Sequence, residues 1–148
     1  MSATVPSDDE VFAAFPGVQI DRDNVAHYRG LLQGRLLINR CAGCGWWIYP
    51  HRPLCPQCLS WQVTPQPVSG RGTVFMYTLI HQERDPEGQP RAPVIAAAVE
   101  LAEQRGLRYL ARIVHCPPER LALDMAVSLC WIDDGGRRMP AFEPARGS

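Results

Sequence analysis

Apolar positions recur along this chain with two different periods, and the change from one to the other divides it. Near the start, Ser7 and Glu10 have capping-box spacing ahead of Val11 to Phe15, which predicts a short helix stopped by Pro16-Gly17. A second helix is expected directly afterwards, capped by Asp21 or Asp23, with Val25, Tyr28, Leu31 and Leu32 on one face and Gly34 as terminator. These form a two-helix arm over residues 1–35. Its apolar stripe is too small to fold alone and must pack on this chain or on a partner. Residues 36–66 show little regular periodicity. They hold two Cys-x-x-Cys pairs, three of the four tryptophans, and prolines at 50, 53 and 56, as expected of a stapled module. Pro65, Pro67 and Ser69-Gly70-Arg71-Gly72 then read as a connector.

From Thr73 the period becomes two. Strands are predicted over Thr73 to His81, Val94 to Leu101, Leu107 to Val114 and Met125 to Ile132, with a weaker fifth over Met139 to Phe142. Ala102 to Gly106 suits a hairpin, Pro117 to Leu123 suits a short helix, and Asp133-Asp134-Gly135-Gly136 supplies positive-φ turn positions. Five strands with a helix between the third and fourth are the OB-fold arrangement, expected over residues 67–148. The fold class is therefore mainly β: a helical arm, a cysteine-stapled ribbon, then a five-stranded barrel.

Charge and composition narrow the function classes. Lys+Arg and Asp+Glu both number 15 and the pI is about 6.9, so no positive excess exists to condense on a phosphate backbone, and nucleic acid is disfavoured as a partner. All 15 basic residues are arginine, which excludes a lysine Schiff base. No apolar run reaches the roughly 20 residues of a membrane span, and the acidic start from Met1 to Glu10 lacks the regions of a signal peptide. The expectation is a cytoplasmic protein that does not engage a membrane.

The chemistry lies in Cys41, Cys44, Cys55 and Cys58. Two Cys-x-x-Cys knuckles separated by ten residues can meet around a tetrahedral ion. Gly43 and Gly45 relieve the backbone of the first knuckle, and Pro56 stiffens the second. Four thiolates close the site, so the ion stabilises the fold and does not activate water. One zinc ion is expected, with iron the rival that spacing alone does not separate. Cys116 and Cys130 lie in apolar stretches and read as core thiols. His115 adjoins Cys116, but neighbours on a strand point to opposite faces and cannot share a proton. His27 and His81 read as isolated. His51 differs, because it lies in Trp46-Trp47-Ile48-Tyr49-Pro50-His51-Arg52, where part of the cluster is expected to cover the metal and part to face a partner or ligand. No Gly-rich phosphate loop, His-Glu helix motif or Gly-x-Ser-x-Gly elbow is present, and no catalytic residue is assigned.

These residues resemble a family of small acyl-CoA-associated proteins that join a rubredoxin-like zinc ribbon to an OB-fold. The resemblance rests on Cys41-Ala-Gly-Cys44-Gly45, Tyr49-Pro50-His51-Arg52, Cys55-Pro56-Gln57-Cys58, Ser69-Gly70-Arg71-Gly72-Thr73-Val74 and Pro140-Ala141-Phe142-Glu143-Pro144, in that order. It implies a non-catalytic companion subunit of a thiolase-fold enzyme, either a thiolase or a thiolase-like aldolase that shortens steroid side chains. It also implies a hetero-oligomer that meets acyl-CoA through the complex. Other members accompany hot-dog-fold hydratases. Trp46, Trp47, Tyr49, His51 and Arg52 are the residues placed by this analogy against partner or CoA. Two positions depart from the family pattern: His51 stands where a second proline is usual, and Leu59 where glycine often follows the last cysteine. Two rival functions are a nucleic-acid module, with Trp46, Trp47 and Tyr77 stacking on bases, and an independent acyl-CoA protein using Arg84 and Arg91 of the Gln82 to Ala92 loop on CoA phosphates.

Overall fold

The computed structural model describes residues 4–146, so the first three residues of the acidic start and the last two of the chain lie outside it. Two compact units result. One runs through Ser69 and takes in Trp131–Met139; the other holds Gly70–Cys130 and the segment from Pro140.

In the first unit, α1 (Asp8–Ala14) begins on the predicted capping box. The Glu10 amide donates to Ser7 Oγ at 3.3 Å, and the Ser7 amide donates to Glu10 Oε2 at 2.7 Å, so two otherwise orphaned donors are satisfied reciprocally. Val11 and Phe15 are buried from this helix and its end. Helix α2 (Val25–Leu32) has Asn24 at its N-cap position, not the expected Asp21 or Asp23. The Asp21 carboxylate instead accepts from the amides of Asp23 (2.8 Å) and Asn24 (3.1 Å), making a turn that feeds the helix. Of the predicted apolar face Leu31 is buried, Val25 and Tyr28 are half-buried and Leu32 is exposed, while His27 and Gly30, not predicted there, are buried. Gly30 brings α2 close to the chain, since a Cβ there would stand 2.8 Å from the Arg35 carbonyl oxygen.

A three-stranded antiparallel sheet follows, ordered β2-β1-β3, from β1 (Leu37–Cys41), β2 (Trp47–Ile48) and β3 (Val63–Pro67). Strand β3 corrects the reading of Pro65 and Pro67 as connector. Both prolines pair in register, with Asn39 and Leu37 respectively, and they can do so because β3 is an edge strand whose ring side needs no donor.

The second unit carries most of a closed barrel, ordered β4-β5-β6-β8-β7, from β4 (Arg71–Ile80), β5 (Val94–Leu101), β6 (Arg108–Ile113), β7 (Ala126–Asp134) and β8 (Arg137–Pro144). Each predicted strand is present, β5 with its predicted limits. The Pro117 to Leu123 helix shrinks to a 3-10 turn at Pro118–Arg120, because the backbone already leaves helical geometry for an extended one at Leu121 (φ -71°, ψ 132°). Inside the barrel Val74, Ile95, Val99, Leu101, Tyr109, Ile113, Val127 and Phe142 are buried, following the period of two. Gly72 pairs with Leu101 on one side and Val127 on the other, where the barrel closes. A Cβ at that position would lie 2.6 Å from the Glu100 carbonyl oxygen.

The outer face of the same strands is not uniformly polar. Met76, Ala98 and Leu110 stand in one cross-strand row, and Met76 and Leu110 are 58% and 71% exposed. Phe75, at the bulge between Val74 and Met76, lies under the Arg108 guanidinium at 3.5 Å. Arg84, offered above as a phosphate ligand, donates to the Gly88 carbonyl at 2.8 Å and thereby braces its own loop. No helix among the described residues is long and apolar enough to cross a membrane.

Candidate metal centre

The two knuckles are built alike. In the first, Cys41 ends β1, its amide donates to the Trp46 carbonyl (2.8 Å), and the Gly45 amide returns to the Cys41 carbonyl (2.9 Å). In the second, the Cys55 amide donates to the Ser60 carbonyl (2.9 Å) and the Leu59 amide returns to the Cys55 carbonyl (2.9 Å). Both turns need a residue in the left-handed region, filled by Gly45 at φ 81° and by Leu59 at φ 62°. The departure from glycine at Leu59 therefore preserves the turn while retaining backbone strain.

This construction brings the Sγ atoms of Cys41, Cys44, Cys55 and Cys58 within 4.8 Å of one another. Cys41 and Cys58 are 3.5 Å apart, and Cys44 and Cys55 3.6 Å. Thiolates bound to one tetrahedral ion at about 2.3 Å stand roughly 3.8 Å apart, so the set fits a metal with little movement. The Cys44 amide points at Cys41 Sγ at 3.5 Å. That contact leads the causes that bring the Cys41 thiol down to about 6, favouring the ligand form. Cys41 and Cys55 are buried beneath Trp46, Ile48 and Val63, whereas Cys44 and Cys58 lie at the surface. Four protein ligands leave no position for substrate, so the site can bind metal and order the ribbon.

The residues between the knuckles divide. Trp47 is buried in β2 beneath the Arg40 guanidinium, which lies 4.8 Å from its ring. Tyr49 precedes a cis peptide bond to Pro50 and meets the His51 ring edge-on, with centroids 5.4 Å apart. His51 packs on His27, and its Nε2 is buried without a hydrogen-bond partner. Arg52 is exposed and lines an open cleft of about 320 Å³ with Arg22, Asp23, Asn39 and Trp61. Sequence reasoning missed two residues here. Trp61 is 70% exposed beside Arg52, and His27 is held by the Leu37 carbonyl at 2.9 Å.

Outside the ribbon, two cysteine expectations fail. Cys116 and Cys130 are only partly buried, so neither is a core thiol. His115 does not alternate with Cys116 on a strand. It follows the end of β6 at φ 55°, and its Nδ1 contacts Glu143 Oε2 at 2.5 Å.

Comparison with known proteins agrees with this architecture. The ChsH2 rubredoxin-like zinc ribbon model matches residues 29–64, and the ChsH2 C-terminal OB-fold model matches residues 65–131. The chain is 34% identical over 131 residues to a probable enoyl-CoA hydratase alpha subunit of Thermomonospora curvata, covering 88% of this chain and 40% of that protein. It therefore spans about two fifths of that relative's length. It is also 34% identical over 110 residues to a DUF35 domain-containing scaffold protein of Methanocaldococcus jannaschii, covering 72% of this chain and 75% of the relative. Among solved structures, a chain of the Ltp2-ChsH2(DUF35) aldolase superposes with a TM-score of 0.74 at 32% identity, over 88% of this chain and 98% of that one. The chain belongs to the DUF35 family, in its ChsH2 form of a rubredoxin-like zinc ribbon followed by an OB-fold.

Proposed function

We propose that this protein is a non-catalytic companion subunit of an acyl-CoA-processing complex, in which it stabilises a thiolase-fold enzyme. The observation that carries the reading is its likeness to the ChsH2(DUF35) chain of an aldolase along 98% of that chain's length. Both modules are covered, so the match is not a shared barrel alone. The geometry is compatible, because the four-thiolate site is closed to substrate and the barrel presents Phe75, Met76 and Leu110 to a partner. The ribbon ion in this reading is zinc, held by Cys41, Cys44, Cys55 and Cys58. The setting is the cytoplasm, where these thiols stay reduced. The partner reaction is a retro-aldol or thiolytic cleavage, with steroid side chains as one substrate class. In this reading Arg52 and Trp61, which line one open cleft, meet partner or CoA, and Trp46, Trp47, Tyr49 and His51 belong to the same contact segment.

A second reading has the partner as an enoyl-CoA hydratase of hot-dog fold, favoured by the likeness to a hydratase alpha subunit. Co-expression with the enzymes encoded beside it, followed by affinity purification, separates the two. A stoichiometric thiolase-fold partner supports the first and a hydratase partner the second. Recovery of this chain alone removes both.

A further inference from the structure

A second cluster of metal-ligating atoms lies on the barrel, among residues that the companion role does not use. His115 Nδ1, Cys130 Sγ and a carboxylate oxygen of Glu143 all lie within 4.8 Å of one another. Three separate segments supply them: the second residue past the end of β6, strand β7 and strand β8. The segments are fixed relative to one another by the sheet. Arg112 and Ile113 of β6 pair in parallel with Ala141 and Phe142 of β8, and the Val114 amide continues the ladder to the Phe142 carbonyl at 2.8 Å. His115 then turns at φ 55°, which brings its ring onto Glu143 at 2.5 Å.

As a protein-only arrangement the three groups converge on one point: His115 Nδ1 contacts Glu143 Oε2 at 2.5 Å, and Cys130 Sγ lies within 4.8 Å of both ligand atoms. A divalent cation would satisfy all three groups at once, replacing the proton between His115 and Glu143 and drawing the thiolate in. Imidazole, thiolate and carboxylate together suit a borderline ion of zinc type better than calcium or magnesium, which prefer oxygen alone. Donors around such an ion stand about 3.3–3.8 Å apart, so Glu143 must swing back by roughly 1 Å. Room exists, since the His115 side chain is 70% exposed. His115 borders one open cleft and Glu143 another, lined also by Arg71 and Arg146, so an ion can enter from solvent.

We propose that His115, Cys130 and Glu143 form a second metal site, for a zinc-like divalent ion, distinct from the four-cysteine ribbon. With three protein ligands it leaves a fourth position for water or an exogenous donor, whereas the ribbon site is closed.

The test is a metal titration of the full chain after purification with its ribbon ion in place. Zinc, and separately cobalt(II), is added and measured by equilibrium dialysis with elemental analysis. Expected is one equivalent that resists a mild chelator and a second that the chelator removes. The second equivalent weakens at least about 10-fold in His115→Ala, in Cys130→Ser and in Glu143→Gln. With cobalt it carries a sulfur-to-metal charge-transfer band that Cys130→Ser abolishes. His115→Ala alters an exposed side chain and keeps the test valid should Cys130→Ser fail to fold. A single equivalent at saturating zinc overturns the proposal. So does a second equivalent that survives His115→Ala and Glu143→Gln, which would be an adventitious thiolate complex. Neither outcome bears on whether an enzyme partner co-purifies.

Discussion

The rings of His27 and His51 lie with centroids 4.7 Å apart at an interplanar angle of 44°, tying α2 to the segment between the knuckles. His27 is 6% exposed. Burial, opposed by its hydrogen bond to the Leu37 carbonyl and reinforced by His51, lowers its pKa from 6.5 to about 4.

A pH dependence follows. In the unfolded chain His27 takes a proton as pH falls through 6.5, whereas in the folded protein it resists until about 4. The unfolded state thus binds more protons across that window, and stability is lost as pH falls from 6.5 towards 4, then levels off for this group. The loss attributable to His27 is on the order of 3 kcal/mol. Denaturant unfolding of zinc-saturated protein between pH 7.5 and 4.5 measures it, with His27→Gln as reference, since metal-ligand protonation is common to both. The variant is expected to show the shallower slope. Equal slopes would mean that His27 titrates alike folded and unfolded.

At the ribbon, Cys41→Ser removes a buried ligand whose thiol is lowered to about 6. Structural zinc sites contribute about 10–16 kcal/mol in small zinc domains, so losing one thiolate should cost the ribbon its order. The chelator-resistant zinc equivalent is expected to vanish, and the fluorescence of Trp46 and Trp47 to move to that of solvated indole. Retention of that equivalent would show that three thiolates suffice.

Leu59 offers a change of opposite sign. Its side chain is 67% exposed and it occupies the left-handed region at φ 62°, the position Gly45 fills in the other knuckle. Leu59→Gly relieves about 1–2 kcal/mol of backbone strain and costs about 0.5–1 in chain entropy. A net gain of a few tenths to about 1 kcal/mol in thermal unfolding is expected. Destabilisation would mean that the leucine packs on something in solution.

How far the sequence revealed this molecule depended on whether partners were close in the chain. The capping box of Ser7 and Glu10, the two knuckles and the limits of β5 are local patterns, and each was legible. Strand β3 was hidden because Pro65 and Pro67 signal a loop unless the strand is known to be at an edge. His27 was hidden because the buried face of α2 is set by what packs on it: Gly30 allows the close approach and His27 follows one turn earlier. The trio of His115, Cys130 and Glu143 was hidden because the parallel pairing of β6 with β8, distant in the chain, is what brings His115 to the β7–β8 pair.

Barrel closure has its own test at Gly72. A methyl group there would stand 2.6 Å from the Glu100 carbonyl oxygen and 2.7 Å from Val99 Cγ1, both on the neighbouring strand β5. Alanine normally favours a strand over glycine, so the sign of Gly72→Ala separates propensity from crowding. Crowding is expected to win, destabilising by about 1–3 kcal/mol in denaturant unfolding. A stabilised variant would show that β4 and β5 can part without cost.

The outer row of the barrel tests the companion role. Met76 and Leu110 flank the small Ala98 on one face, so a partner could bury both without displacing any core residue. Substituting both by aspartate places two charges on that face but removes no internal contact of the barrel interior. Stability should therefore shift by no more than about 0.5 kcal/mol per exposed site. Recovery of the enzyme partner in a pull-down should fall at least 10-fold, because burying an unpaired carboxylate in an interface costs more than about 1.4 kcal/mol. Undiminished recovery would move the interface off this face and leave the arm or the Arg52 and Trp61 cleft as the surface the partner meets.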